Sequence, residues 1–309
     1  MKGTLWSLFG VGAPSYFVLL LTGFLLATFI GTVWARRIGE EPDVIVDLSI
    51  AMLLSGLVGA RVLHVIADGY FWDYVNLCVA PEKVDWKITA DECASAAYSG
   101  LWDAAKEVCH PKTSNCLAVF NTQGFAFYGG FLFAIPTAYW LLRRDGFPFW
   151  KAADFGGLAA ALGLAFGRMG CLLAGCCFGV RSDGALAMVF PPFSPASDWQ
   201  WKHGLLAAKS MPSLAVIPTQ ILESAGSLVL GAFLYLWLQP RKRYDGQVFV
   251  GFLAGYAVLR FVLELFRSDD RGAFFGLSTS QIIGVALLAA ALWLHRARRS
   301  STPGPLVAS

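Results

Sequence analysis

The chain has 309 residues, of which 56% are hydrophobic and 15% charged, where a soluble domain carries roughly 25% charge. That balance excludes a disordered chain and argues against a soluble enzyme. Twenty-four Lys and Arg against 21 Asp and Glu leave a formal charge of +3, spread along the chain, so nucleic-acid binding has no electrostatic footprint.

In chain order, seven stretches are apolar and long enough to cross roughly 30 Å of hydrocarbon. They are Ser15–Ala35, Ile45–Ile66, Phe125–Leu142, Phe155–Cys177, Ala215–Leu238, Val248–Phe266 and Leu277–Leu294. Period-2 alternation is absent, so the pattern predicts an all-α integral membrane protein, a seven-transmembrane helical bundle rather than a β-barrel. The first stretch is too long for a signal peptide and closes on Arg36-Arg37, so it is expected to stay as an anchor. Segments 36–44, 143–151, 239–247 and 295–309 hold 11 Lys and Arg in 42 residues, while the alternate connections hold 10 in 119. By the positive-inside rule the dense set is cytoplasmic, with the N-terminus outside and the C-terminus inside. The expected organisation is two helices over 1–66, a small extracytoplasmic head over 67–124, helices three to seven over 125–294, and a disordered tail over 295–309.

Cys78, Cys93, Cys109 and Cys116 fall in the head, where two disulfides are expected among three pairings in an oxidising compartment. Cys171, Cys176 and Cys177 form a second group in GRMGCLLAGCCFG. Their spacing is not C-x-x-C and no His pair accompanies them, so zinc is disfavoured. With Gly163, Gly167 and Gly170 on the same helix, small residues for close helix packing are favoured over a redox pair.

Ionisable residues inside spans are costly and are functional-site hypotheses by default. At 1.5 Å per residue, Arg61, Arg168 and Arg260 lie about 24, 20 and 18 Å from the cytoplasmic start of their spans, and Glu223 about 10 Å below the outer surface. Glu264 follows Arg260 by one turn. Arginines and carboxylates gathered in the outer half of a bilayer suit an anion, since the guanidinium fork binds phosphate bidentately and keeps its charge when desolvated. The anion at that depth is a phospholipid head group. The competing reading makes Arg260–Glu264 and Arg168–Glu223 internal ion pairs that tie helices together.

SGLVGARVLHV, GFAFYGGFLFA, GRMGCLLAGCCFG, IPTQILES and YAVLRFVLELFRSDD, in this order, resemble the bacterial phosphatidylglycerol–prolipoprotein diacylglyceryl transferases over nearly all seven spans. The resemblance implies transfer of a diacylglyceryl group from phosphatidylglycerol to the lipobox cysteine of a prolipoprotein, at the outer leaflet of the bacterial inner membrane. It implies Arg168, Arg260, Tyr128 and Glu264 as catalytic residues. For the lipid it implies Tyr16, Arg61, Arg168, Cys171, Gly179, Gln220 and Glu223. The partners are phosphatidylglycerol, lipobox peptides and the membrane, with no nucleic acid, cofactor or metal expected. The chain departs from the better-known members at Tyr128, where they have histidine, at Cys171, where they commonly have Asn, and at Cys176, where they commonly have Glu. A tyrosine hydroxyl positions a phosphate better than it serves as a base. A nearby arginine raises the thiolate fraction of a substrate thiol, and His64 is a further candidate base. The alternatives are a membrane thiol-disulfide oxidoreductase using Cys176 and Cys177, a transporter, and a non-catalytic phospholipid-binding paralogue.

Overall fold

The computed structural model describes residues 4–8, 11–67, 71–86, 88–94, 100–112, 127–267, 273–274 and 277–300. The chain divides into two compact units, 1–45 with 147–309, and 46–146. After a β1–β2 hairpin (Thr4–Leu8, Val11–Pro14), the first unit is built on α1 (Ser15–Arg37), α6 (Phe149–Ala174), α8 (Thr219–Phe233), α9 (Gln247–Glu264) and α10 (Thr279–Ser300). The second holds most of α2 (Pro42–Ala67), then α3 (Phe71–Val79), α4 (Ala90–Ala94), a β3–β4 hairpin (Leu101–Asp103, Val108–His110) and α5 (Phe127–Arg144).

Among the described residues, six helices are long and apolar enough to cross a membrane: α1, α2, α6, α8 with its continuation to Arg241, α9 and α10. The third expected span is α5, 18 residues that contain Pro136 and end in Arg143 and Arg144. Its described apolar part covers roughly 24 Å, short of the ~30 Å hydrocarbon core, and it is not among the six. Large apolar side chains such as Phe17, Leu25, Phe29, Leu54, Val229 and Leu236 are exposed along these helices, as hydrocarbon surroundings allow.

In the first unit α6 is central and packs against α1, α8 and α9, while α9 also packs against α10. Small residues make this close. Phe166 backs onto Gly23, and Gly157 seats Phe249 and Phe252. Ala161, Leu234, Val248 and Phe252 form the buried core between α6, α8 and α9. At the start of α9, the buried Asp154 carboxylate accepts from Val248 N (2.8 Å) and Phe249 N (3.2 Å) and meets Lys242 Nζ at 2.9 Å. A side chain of α6 therefore caps α9 and joins the two at this end.

Two expected spans end differently. The fourth stops at Ala174, because Gly175 turns left-handed with φ 74°, and Cys176 N reaches back to Cys171 O at 3.1 Å as in a Schellman cap. Cys176 and Cys177 thus leave the helix. The fifth begins at Thr219 rather than Ala215, since Val216 forms bridges to Arg181 and Met188 and Pro218 opens the helix. Phe178, Phe190, Ala196 and Val216 form a second buried cluster with Leu172 there, and α7 (Pro195–Lys202) belongs to it, capped by Ser194. β5 (Ala273–Phe274) and β6 (Leu277–Ser278) precede α10, where Ser278 and Gln281 form a reciprocal capping box.

In the second unit, Gly59 and Gly129 stand back to back, so that a Cβ on either would strike the other's backbone. The glycines of SGLVGAR and YGG are thus the contact between α2 and α5. Cys93 and Cys109 form a disulfide, Cys78 is also disulfide-bonded, and Cys116 lies outside the described residues.

Candidate active site

α9 carries its polar residues on one face. Tyr256, Arg260, Glu264 and Arg267 are spaced by four, four and three, the interval at which side chains stack along a helix. The chain tightens after Glu264, with Arg267 N donating to Glu264 O at 3.3 Å, so Arg267 stays in register. Opposite this stripe, the first two turns of α8 present Thr219, Gln220 and Glu223, all fully buried.

Glu223 is the hub. Its Oε2 lies 3.0 Å from Arg168 Nε, 3.7 Å from Arg260 Nη1 and 3.8 Å from Arg267 Nη1. Tyr256 donates its hydroxyl proton to Oε1 at 3.2 Å. Arg260 Nη2 also meets Glu264 Oε2 at 3.1 Å and donates to Ser280 Oγ of α10 at 3.1 Å. Among the described residues, the guanidiniums of Arg168, Arg260 and Arg267 gather around the carboxylates of Glu223 and Glu264 in a buried place. Ionised groups removed from water cost several kcal/mol each unless compensated, and arginine does not escape by losing its proton. An anion held by the guanidinium forks would add to that compensation. Its open edge is Arg168, whose side chain is 17% exposed against 0% for Glu223.

The loop after α6 closes the site from the side. Gln220 Nε2 donates to Cys176 O and Thr219 Oγ1 to Cys177 O, each at 2.7 Å. Gln220 Oε1 is buried with no hydrogen-bond partner among the described residues, an acceptor facing a site that otherwise offers donors. Gly179 N donates to Ile217 O and Val180 N to Phe266 O, both at 2.9 Å, and Gly179 forms a bridge with Arg267. A Cβ at Gly179 would stand 2.6 Å from Phe266 O and 2.8 Å from Ile217 O, so only glycine lets the three strands of chain meet. The Cys171, Cys176 and Cys177 sulfurs lie within 4.8 Å of one another. Tyr16, in the first turn of α1, packs on Gly170 of α6, within electrostatic reach of Arg168 and these thiols.

Of the residues expected at the site, Tyr16, Arg168, Cys171, Gly179, Gln220, Glu223, Arg260 and Glu264 all belong to the first unit and gather at the end of the bundle where α6 and α9 finish. Arg61 and Tyr128 belong to the second unit. Arg61 is buried and donates to the Tyr74 hydroxyl at 2.6 Å, with its guanidinium 5.1 Å from the centre of that ring. Tyr128 occupies the first turn of α5, and its side chain lies outside the described residues. Gly179 uses its own N–H within the fold, so it offers no donor to a ligand. Sequence reasoning missed Arg267, Tyr256 and Ser280. The first two carried a readable signal, since they extend the Arg260–Glu264 face by one turn in each direction.

The sequence model of the family described as prolipoprotein diacylglyceryl transferase matches residues 4–296. The chain is 30% identical over 306 residues to a phosphatidylglycerol–prolipoprotein diacylglyceryl transferase of Aromatoleum aromaticum, covering 94% of each chain. It is 26% identical over 299 residues to phosphatidylglycerol–prolipoprotein diacylglyceryl transferase 2 of Clostridium perfringens, covering 96% of this chain and 94% of that one. A shorter match of 34% over 184 residues, 55% of this chain and 60% of its relative, is to the enzyme of that name from Stenotrophomonas maltophilia.

Proposed function

The chain belongs to the prolipoprotein diacylglyceryl transferase family, and from that premise we propose that it moves the diacylglyceryl group of phosphatidylglycerol onto the lipobox cysteine of exported prolipoproteins. The thiol sulfur bonds to the glycerol carbon, the carbon–oxygen bond to phosphate breaks, and glycerol phosphate leaves. The observation that carries this reading is the convergence of Arg168, Arg260 and Arg267 on one buried spot at Glu223, because guanidiniums gathered there suit the phosphodiester of phosphatidylglycerol, a monoanion.

Arg168 and Arg260 bind the phosphate and stabilise the charge that grows on its oxygens as the bond breaks. Preorganised donors in a water-poor site act most strongly there. Glu223 and Glu264 hold the guanidiniums in place, and Gln220 Oε1 accepts from a hydroxyl of the glycerol head. Tyr16 and Cys171 border the entry beside Arg168, and Gly179 is a positioning residue that fixes Arg267. Tyr128 and Arg61 are further lipid-binding residues in this reading, Tyr128 through a hydrogen bond rather than as a base. The thiol proton passes to the departing phosphate oxygen, and the released glycerol phosphate, with a second pKa of about 6, gives it up to water at neutral pH. We further infer seven crossings of the bacterial inner membrane, with α5 as the third, the N-terminus outside and the site toward the outer leaflet. The segment 67–124 forms the external head and 295–309 the cytoplasmic end.

Purified protein given phosphatidylglycerol and a lipobox peptide should yield a peptide heavier by one diacylglyceryl group, and phosphatidylethanolamine, with no net charge, should not replace the donor. Absence of product where an established transferase works would overturn the enzymatic reading in favour of a lipid-binding paralogue.

A further inference from the structure

Three thiols converge beside the arginine cluster, two of them, Cys176 and Cys177, without a part in the transfer. We propose that Cys171, Cys176 and Cys177 form a trithiolate site for a thiophilic d10 cation, Zn(II) or Cu(I). Their sulfurs lie within 4.8 Å of one another. A metal with bonds of about 2.3 Å to sulfur holds its thiolates about 3.8–4.0 Å apart in tetrahedral or trigonal array, so side-chain rotation of under 1 Å closes the site. Along a helix, residues five and six apart do not share a face. Here the left-handed turn at Gly175 folds Cys176 and Cys177 back over Cys171.

The frame around the thiols is rigid before any ion arrives. Cys176 N is bonded to Cys171 O, and the carbonyls of Cys176 and Cys177 are held by Gln220 and Thr219. Cys177 itself sits at φ 62°, a left-handed conformation unfavourable for a non-glycine residue, which persists only where the surroundings impose it. The charge environment fits as well. Binding releases one proton per thiol, so three thiolates leave Zn(II) with one net negative charge and Cu(I) with two. Arg168 lies in electrostatic contact with Cys171 and Cys177, and Arg267 hydrogen-bonds the Cys177 sulfur. Guanidiniums directed at metal-bound sulfur offset that charge. Soft thiolates select Zn(II) and Cu(I) over Mg(II) or Ca(II). This assignment makes Cys171 a ligand rather than a contact for the lipid.

The test uses the full chain in detergent, reduced with a phosphine and handled without oxygen, then dialysed against Zn(II) or Cu(I) and desalted. Wild type should retain one ion per chain, and Cys171→Ser, Cys176→Ser and Cys177→Ser should each lose it while melting as a folded protein. Co(II) loading should give thiolate-to-metal charge-transfer absorption in wild type that vanishes in the triple Cys→Ser variant, which excludes the head cysteines as the binders. Retention of no metal by reduced, folded wild type overturns the proposal, as does equal retention by the triple variant. Recovery of the chain from membranes with two of these sulfurs in a disulfide, coupled to failure of the reduced form to load, also overturns it. None of these readouts depends on transferase activity.

Discussion

At the scale of single residues, the arginines decide between a binding site and a structural brace, and the structure contains the elements of both. Arg168–Glu223 and Arg260–Glu264 are paired in the folded chain, as a brace would be. Arg168 tips the balance, because its side chain is 17% exposed while Glu223 is fully buried, so the fork can be reached by an anion from outside the cluster. If Arg168 and Arg260 stabilise the departing phosphate, Arg168→Lys and Arg260→Lys should lower turnover by roughly 10²–10³ with little change in melting temperature. A lysine keeps the charge but lacks the fork. If they only brace helices, truncation should strand a buried carboxylate and cost about 3–5 kcal/mol, and replacing Arg260 and Glu264 together by apolar residues should restore an active protein. Measuring turnover beside thermal stability for these variants separates the two, and an active double variant sinks the catalytic role of Arg260. The motif residues of this site were legible in the sequence because charge inside an apolar helix is conspicuous. Arg267 was passed over because it lies just beyond the end of the span, where charge is ordinary, and Tyr256 because a tyrosine in mid-span reads as packing.

At the scale of elements, the site depends on the junction where the loop after α6, the lead-in to α8 and the end of α9 meet. Gly179 is the point of closest approach, with backbone carbonyls on two sides of it. Carbonyls held in a network cannot swing aside as a flexible side chain can, so Gly179→Ala should be costly. We expect a loss of about 1–3 kcal/mol, read as a lower melting temperature, and a loss of activity, because Arg267 is carried by the same junction. A Gly179→Ala variant with wild-type melting and turnover would remove Gly179 from any positioning role. Helix existence was legible from hydropathy, but helix ends were not. Hydropathy carried the fourth span through to Cys177, whereas the backbone stops at Ala174, since cysteine is apolar enough to extend the pattern while Gly175 ends the helix. Likewise Ala215–Ile217 reads as span and folds as extended chain, because Pro218 cannot continue a helix backwards.

At the scale of the whole molecule, orientation rests on the distribution of basic residues, dense in the connections after α1, α5 and α8 and at the end of α10. Fusion of a fluorescent reporter after Ser300 should therefore glow, and alkaline phosphatase at the same position should stay inactive, with the opposite outcome for fusions within the segment 67–124. Reversed signals would invert the topology and place the Glu223 cluster toward the cytoplasm. The sequence by itself determined the solvent of the fold, its helical class and the residues on which chemistry could rest, because each follows from local terms: the length of an apolar run, the cost of a charge in hydrocarbon, the spacing of side chains along one helix. Only the tertiary structure decided which of those residues share a carboxylate, that Gly179 has no N–H to offer, and that three cysteines with unpromising spacing meet at their sulfurs. These are properties of chain reversal at Gly175 and of packing among α6, α8 and α9. They join residues far apart in sequence through backbone geometry, which no local pattern encodes.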